Sequence, residues 1–484
     1  MRTTKRAFIS KFVYAVSANM IGLLVSVITT LLIPRFLGVK IEEYGYLQLY
    51  LFYTSYVGFL HFGWVDGILL REGGKLYEAI DKKIYSSEYR LFIAFEAFIS
   101  IIIAVIAYFA VDDPDKAFVF YFVGANVLIM LMRSYLQYVL QATNRIKEYS
   151  ITASAGRILY LSTCIIVMII GIRTFKVFVI SDTICKTISL FLTIYYCRDI
   201  VFAHGYGPFD AKIKNEVRLN ISAGVKLVFA NIASMLITGI IRQGIENSWD
   251  ISTFGKVSLT LSISNFFITF ISAVAIVLFP TLRTINKDKL ESIYYKICDA
   301  LSIVSFGILV IYYPLRAILS IWLPQYSDGL MYMAILFPMC FYLSKVTLVI
   351  QTYYQVLRFE KDLMFVNIFS LFISLITAYI SINLLHNLTY AVLAILFNQA
   401  IRCIAAEIRL AQKTNIKVAF RIITEGVMVL TFVLANWVAE GWTGFFIYLG
   451  IYAFYIFRRR DEIVSIIRET LLNRKGLRNN NEHI

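Results

Sequence analysis

Apolar residues fall into fourteen long runs separated by short polar connections. The runs span about residues 12–33, 44–65, 90–110, 117–141, 151–171, 176–196, 218–241, 253–280, 297–322, 329–356, 363–385, 389–410, 418–438 and 441–457. Each approaches the roughly 20 residues that an α-helix needs to cross a bilayer. Lipid offers bare backbone N–H and C=O groups no partner, so every run predicts a helix. Loop charge tests the count independently. Lys and Arg at the N-terminus, in the even-numbered connections with their flanks, and in the C-terminal tail number 32, whereas the odd-numbered connections hold six: Arg35, Lys40, Lys116, Arg173, Lys176 and Arg242. A bias sustained along the whole chain would collapse if one run were missed or invented midway, and it puts both termini in the cytoplasm.

Composition agrees with this reading. Of 484 residues, 59% are hydrophobic and 16% charged, with a mean hydropathy of +0.72. A soluble domain carries roughly 25% charged residues, so an ordinary soluble enzyme is excluded. The net charge of +15 points to no nucleic acid, because the basic residues are divided between short connections and spans. Six scattered cysteines and four distant histidines form neither CxxC pairs nor metal-ligand spacings, so no metal, cofactor or disulfide frame is expected. The N-terminus begins like a signal peptide, but its apolar run is too long for one and predicts a retained first span.

The chain also repeats itself. Near the end of the fourth run stands Gln141-Ala-Thr-Asn-Arg-Ile-Lys147-Glu148, and near the end of the tenth stands Gln355-Val-Leu-Arg-Phe-Glu-Lys361-Asp362. The second run opens with Tyr44-Gly45 and the eighth with Phe254-Gly255. Both matches obey an offset of six spans. An even offset gives two halves of the same topology, related by an axis along the membrane normal. The expected organisation is an N-terminal lobe over 1–200, a C-terminal lobe over 201–415, two appended spans over 416–460 and a cytoplasmic tail over 461–484. That tail begins with Arg458, Arg459 and Arg460, continues as a short basic amphipathic helix, and is expected to lie on the anionic leaflet.

Eight cations fall inside predicted spans. Lys256 and Arg316 lie near span ends and can snorkel, which leaves Arg133, Arg157, Lys186, Lys226, Lys345 and Arg402. At about 2.5–3.5 kcal/mol each, six lipid-facing cations would cost roughly 15–20 kcal/mol, more than a typical domain's stability. They must face protein or water. Asp182 stands four residues before Lys186 and is placed to neutralise it. The other five have no acid three or four residues away, and the deep acids are Glu96 and Asp182, with Asp66, Asp299, Glu407 and Glu425 nearer cytoplasmic ends. The expectation is a water-filled cationic cavity fed by three cations from each lobe. Arginine's planar fork and lysine's mobile charge suit a phosphate or pyrophosphate. Tyr46, Tyr50, Tyr53 and Tyr56 form a stripe on the second span; packing accounts for most such stripes, whereas Tyr50 and Tyr53 in a cavity would suit the faces of sugars.

Catalytic motifs fail. Gly73-Gly74-Lys75 resembles the end of a phosphate loop, but Leu76 occupies the Ser/Thr position and Leu69 the first glycine. Neither HExxH nor GxSxG occurs, and no connection is long enough for a catalytic domain, so the chain is not expected to be an enzyme.

The sequence resembles a known family. Ile9-Ser-Lys11, Pro34-Arg-Phe-Leu-Gly38 with Glu43-Tyr-Gly45, Gln141 through Glu148, and Phe279-Pro280-Thr-Leu-Arg283 are similar to motifs of bacterial polysaccharide flippases of the Wzx type, within the multidrug/oligosaccharidyl-lipid/polysaccharide exporter superfamily. The likeness covers about residues 9–420. It implies an all-α, polytopic, MATE-like fold with a cationic central cavity, residing in the cell inner membrane. The implied function is to carry an undecaprenyl-pyrophosphate-linked oligosaccharide to the outer leaflet by alternating access. It also implies membrane lipids as surroundings and a polysaccharide polymerase and glycosyltransferases as associates. Where many members place an acid just before the arginine ending span 7, this chain has Gly239-Ile-Ile-Arg242, so that acid's role does not transfer. A lipid II flippase shares the fold and often has fourteen spans. A multidrug exporter would want acids, and a membrane-embedded glycosyltransferase would want catalytic carboxylates. Glu96 and Asp182 are the candidates for ion coupling.

Overall fold

The computed structural model describes residues 2–207, 210–283, 287–414, 416–439 and 442–460. The tail from Asp461 lies outside them, as do the side chains of Ile9-Ser-Lys11 and of Phe279 through Arg283. Every element among the described residues is helical. Each of the fourteen apolar runs coincides with a helix or a string of helices, and eleven of these satisfy a span's length and hydropathy outright. The protein is a multi-pass membrane protein.

The chain forms two compact units. The first comprises residues 1–236 and 246–259. It holds α1 (Arg2–Leu37), α2 (Ile41–Tyr56), α3 (Trp64–Glu72), α4 (Lys82–Ala110), α5 (Pro114–Ala142), α6 (Ile146–Ile170), α7 (Phe175–Tyr196) and the short α8 (Arg198–Val201). The long α9 (Ala211–Ser248) contributes all but Ile237–Ile245, and α10 (Ile251–Arg283) contributes its start. Polar caps set the boundaries. Asp81 accepts from the backbone N–H of Lys83 and Ile84 at 3.0 and 3.4 Å to start α4, and Asp113, followed by Pro114 at the first helical position, starts α5 in the same way. Gly171, at φ 86°, ends α6. Helices α4, α5, α6 and α7 pack as neighbours, with α1 on α6.

The second predicted span is not one helix. It breaks into α2, a 3₁₀ turn at Val57–Phe59, and α3, with Phe62 and Gly63 at positive φ. Close approach accounts for the break. A Cβ on Gly224 of α9 would lie 1.9 Å from the Gly63 carbonyl oxygen, and one on Gly67 of α3 would lie 1.9 Å from that of Asn220. The early turns of α9 thus press backbone to backbone on α3, a contact that side chains would prevent.

The second unit comprises residues 237–245 and 260 onward. It holds α11 (Lys287–Trp322), α12 (Ser327–Leu330), α13 (Met333–Leu336), α14 (Met339–Lys345), α15 (Gln351–Val356), α16 (Glu360–Ala378), α17 (Leu388–Thr414), α18 (Ala419–Val438) and α19 (Trp442–Arg458). The predicted tenth span is a chain of short helices, α12 to α15. Pro338 cannot donate within it, and a π-helical turn, Val346–Ile350, follows Lys345. This string is the most enclosed span of the chain, with 89% of its apolar window buried between Met333 and Val356.

Candidate functional site

In the first unit, α2, α5, α6 and α7 bring a polar cluster together inside otherwise apolar helices. Asp182 accepts a hydrogen bond from the Tyr50 hydroxyl at 2.6 Å and an ion pair from Lys186 at 2.6 Å. Asn126 donates to the Tyr50 oxygen and to Thr183, both at 3.0 Å, and the Lys186 ammonium lies 5.5 Å from the Tyr50 ring centre. The pairing of Asp182 with Lys186 expected from their spacing is therefore present. Tyr50, by contrast, is fully buried. It orders Asp182 and offers no open face to a sugar in this conformation, which corrects the expectation for it. The rest of the stripe also packs: Tyr46 donates to Asp113 at 2.7 Å, and Tyr53 lies 4.7 Å from Phe120.

One turn away, the arginines lack acids. The guanidinium of Arg133 donates to Ser189 at 3.4 Å, while its buried Nε has no acceptor among the described residues. Arg157 crosses to α1, donating to the Ala18 carbonyl at 3.2 Å over Gly22, where a Cβ would lie 2.1 Å from its Nη1. Arg157 and Lys226 are exposed, and none of the three has a carboxylate partner among the described residues. Glu96 on α4 is wholly buried, and neither of its oxygens has a partner among the described residues.

The second unit divides its two cations differently. Arg402 is buried, donates from Nε to Asn367 at 3.0 Å, and reaches no carboxylate among the described residues. Lys345 is not unpaired, as its own helix suggests. Its ammonium, 1% exposed, contacts Glu407 at 2.6 Å and Glu425 at 2.5 Å. Tyr294 and Ser302 donate to the same two carboxylates, at 2.7 and 3.2 Å. Next to them Asp299 pairs with Arg421 at 2.6 Å and with Arg459. Three cations and three carboxylates, drawn from α11, α14, α17, α18 and α19, form a sealed network of zero formal charge. Burial without compensation would be far costlier than burial in such a set. Lys345 leaves the group of free cations for this reason. The missed signal was depth: Asp299, Glu407 and Glu425 lie about as far from one end of their helices as Lys345 does from the matching end of its own.

A second feature that the sequence hid lies at the α3–α9 contact. Glu88 on α4, 1% exposed, accepts from Trp64 and Asn220 at 2.6 Å and from Tyr135 at 3.2 Å. Arg71 donates to the Asn220 side-chain carbonyl at 2.5 Å and pairs with Glu216 at 2.8 Å. A carboxylate held only by neutral donors is strongly position-dependent, because loss of one donor leaves a buried charge short of solvation. The start of α9, which by sequence belongs to the second repeat, is thereby latched to the first unit. At the opposite end of α9, Glu246 pairs with Lys116, and at the start of α10 Phe254 meets Phe52 edge-on at 5.9 Å.

No family model and no curated protein matches the chain. Among solved structures, the fold is similar to that of "Lipid II flippase MurJ, inward closed conformation", with a TM-score of 0.67 and 13% identity over 94% of this chain and 100% of that one. It is also similar to an inward-facing multidrug resistance MATE family transporter of the MOP superfamily, with a TM-score of 0.57 and 10% identity over 82% of this chain and 98% of the other. A variant of the Vibrio cholerae MATE transporter VcmN gives 0.53 and 12% over 86% and 99%. The chain has the all-α, polytopic fold shared by MurJ and the MATE transporters.

Proposed function

We propose that the protein is a flippase that moves an undecaprenyl-pyrophosphate-linked oligosaccharide from the cytoplasmic to the outer leaflet of the inner membrane by alternating access, with both termini in the cytoplasm. The carrying observation is that Arg133, Arg157 and Arg402 stand within membrane-spanning helices without carboxylate partners among the described residues. Arginine binds phosphate oxygens through parallel N–H donors, so an anionic headgroup supplies the charge the protein withholds. Lys226, also without a partner, is the mobile fourth cation, and Lys186 is partly neutralised by Asp182. A cationic drug would meet the wrong sign here.

Two further observations support a lipid cargo moved by alternating access. An apolar groove of about 580 Å³, with Tyr342, Leu393, Phe397, Val429 and Val433 in its walls, has the character an isoprenoid tail requires. The latch of Glu88, Asn220 and Arg71 is a contact that must part for access from the cytoplasm, with the two repeats as the moving parts. Glu96, buried and without a partner, is the proposed proton carrier; Asp182 is already engaged. Membrane lipids surround the protein, and glycosyltransferases and a polysaccharide polymerase would supply and consume its cargo.

The likeness to MurJ over nearly the whole of both chains favours a second reading, a lipid II flippase. Reconstitution decides between them. Vesicles containing the purified protein are loaded with lipid-linked oligosaccharide or with lipid II, and arrival in the opposite leaflet is followed with a membrane-impermeant sugar oxidant. Movement of the first alone supports the proposal, and movement of lipid II alone replaces it. Movement of neither removes the flippase reading.

A further inference from the structure

At the end of the second unit's helices that loop charge assigns to the outer side, a cavity of about 920 Å³ opens among the end of α11, the connection into α12, the end of α18 and the start of α19. Its size is that of a small-ligand pocket, for which about 300–1,000 Å³ is usual. Tyr313, Trp437 and Trp442 supply aromatic faces, and Arg316, Asp328 and Asn436 supply polar groups. The aromatic wall is braced: Phe445 stands between Tyr313, at 5.2 Å, and Trp442, at 5.5 Å, edge to face with both. Trp437 and Trp442 remain 43% and 61% exposed, so their faces are open.

The polar groups are incompletely used. Arg316 donates from one nitrogen to the Tyr312 hydroxyl at 3.3 Å, and its other N–H groups have no acceptor among the described residues. Asn436 spends its amide hydrogens on Tyr313, at 3.0 Å, and on the Phe432 carbonyl, at 2.8 Å, while its own carbonyl oxygen receives no bond from the described residues. The site therefore offers open donors, an open acceptor and aromatic faces, and Arg316 and Asp328 cancel in formal charge. An ordinary interfacial tryptophan belt needs only the rings. A neutral molecule with hydroxyls on its rim and apolar patches on its faces satisfies all of these groups, and an anion would meet Asp328.

The geometry points to this cavity as a binding site for a neutral oligosaccharide on the outer side, with Trp437 and Trp442 as stacking platforms and Arg316 and Asn436 as hydroxyl partners. It would receive the sugar portion of the cargo after translocation. The inference rests on the reading that the cargo carries sugar, yet it is testable apart from transport.

The full-length protein in nanodiscs is titrated calorimetrically with three lipid-free probes: maltotetraose, chitotetraose and a tetramer of galacturonate. Saturable binding of at least one neutral probe is expected, with galacturonate weaker. Trp437→Ala and Trp442→Ala should each weaken binding about tenfold, Trp442→Phe should retain most of it, and Arg316→Met should weaken it while leaving the aromatic wall intact. Binding by neither neutral probe overturns the assignment, as does galacturonate binding most tightly or unchanged binding in both alanine variants. A protein that flips lipid-linked substrate in vesicles but binds no free sugar loses this inference alone. One that binds sugar at this site but flips nothing keeps it and loses the flippase reading.

Discussion

Gly45 and Gly255 occupy equivalent places in the two sequence repeats, and they touch: a Cβ on Gly255 would stand 2.9 Å from the Cα of Gly45. The motif that reveals the repeat is also a contact between its copies. A Cβ on Gly45 would lie 2.3 Å from the Ile251 carbonyl oxygen, so neither position has room for even a methyl group.

Gly45→Ala or Gly255→Ala should therefore force backbone apart and cost about 1–3 kcal/mol. Gly450→Ala is the control, since nothing lies within 4 Å of that position and alanine favours a helix. Thermal unfolding of the purified variants checks this; equal melting temperatures across the three would show that the α2–α10 contact is loose.

Charge reversal at Arg133, Arg157 or Arg402 should abolish transport while leaving the protein in the membrane in normal amounts. Arg→Lys should retain a fraction, reduced by about tenfold, because the bidentate phosphate contact is lost. Complementation of a flippase-deletion strain, with immunoblots of membranes, provides the measurement. Full complementation by the reversed variants would end the anionic-cargo reading.

Lys345→Met should behave differently. It leaves Glu407 and Glu425 buried together without their cation, a loss of about 3–5 kcal/mol seen as unfolding or low yield. Adding Glu407→Gln and Glu425→Gln should recover most of that stability. A Lys345→Met protein of normal stability that fails only in transport would return Lys345 to the transport path.

Asn220→Ala withdraws a donor from Glu88 and the acceptor used by Arg71, and should loosen the start of α9 by about 1–3 kcal/mol. Spin labels at the exposed positions Lys75 and Arg218 would report it by pulsed electron resonance as a shift toward longer distances. An unchanged distance distribution would mean that the latch does not hold α9.

What the sequence revealed follows from range. Fourteen helices were legible because each apolar run is long and the loop charges count them independently, and the Asp182–Lys186 pair was legible because it lies within one helical turn. The partners of Lys345 stand 62 and 80 residues away along the chain, where helical periodicity carries no information. Glu88 escaped notice because it precedes its apolar run, although the helix begins earlier, at Lys82. The break after Tyr56 was hidden for another reason: its turn is written in apolar residues and glycine, and only the close backbone of α9 reveals its purpose.

The neutral charge network in the second unit has a bearing on how the chain is made. Synthesis runs from the N-terminus, so Asp299, Lys345 and Glu407 enter the membrane before Arg421, Glu425 and Arg459 exist. Until the last two helices arrive, Asp299 has no cation in the network and the site carries surplus negative charge in a medium that penalises it. A ribosome that stops short of α18 thus releases a chain with an exposed electrostatic defect, which membrane proteases can recognise. The C-terminal helices act as the closing step of assembly, and their charges certify that the whole message was translated.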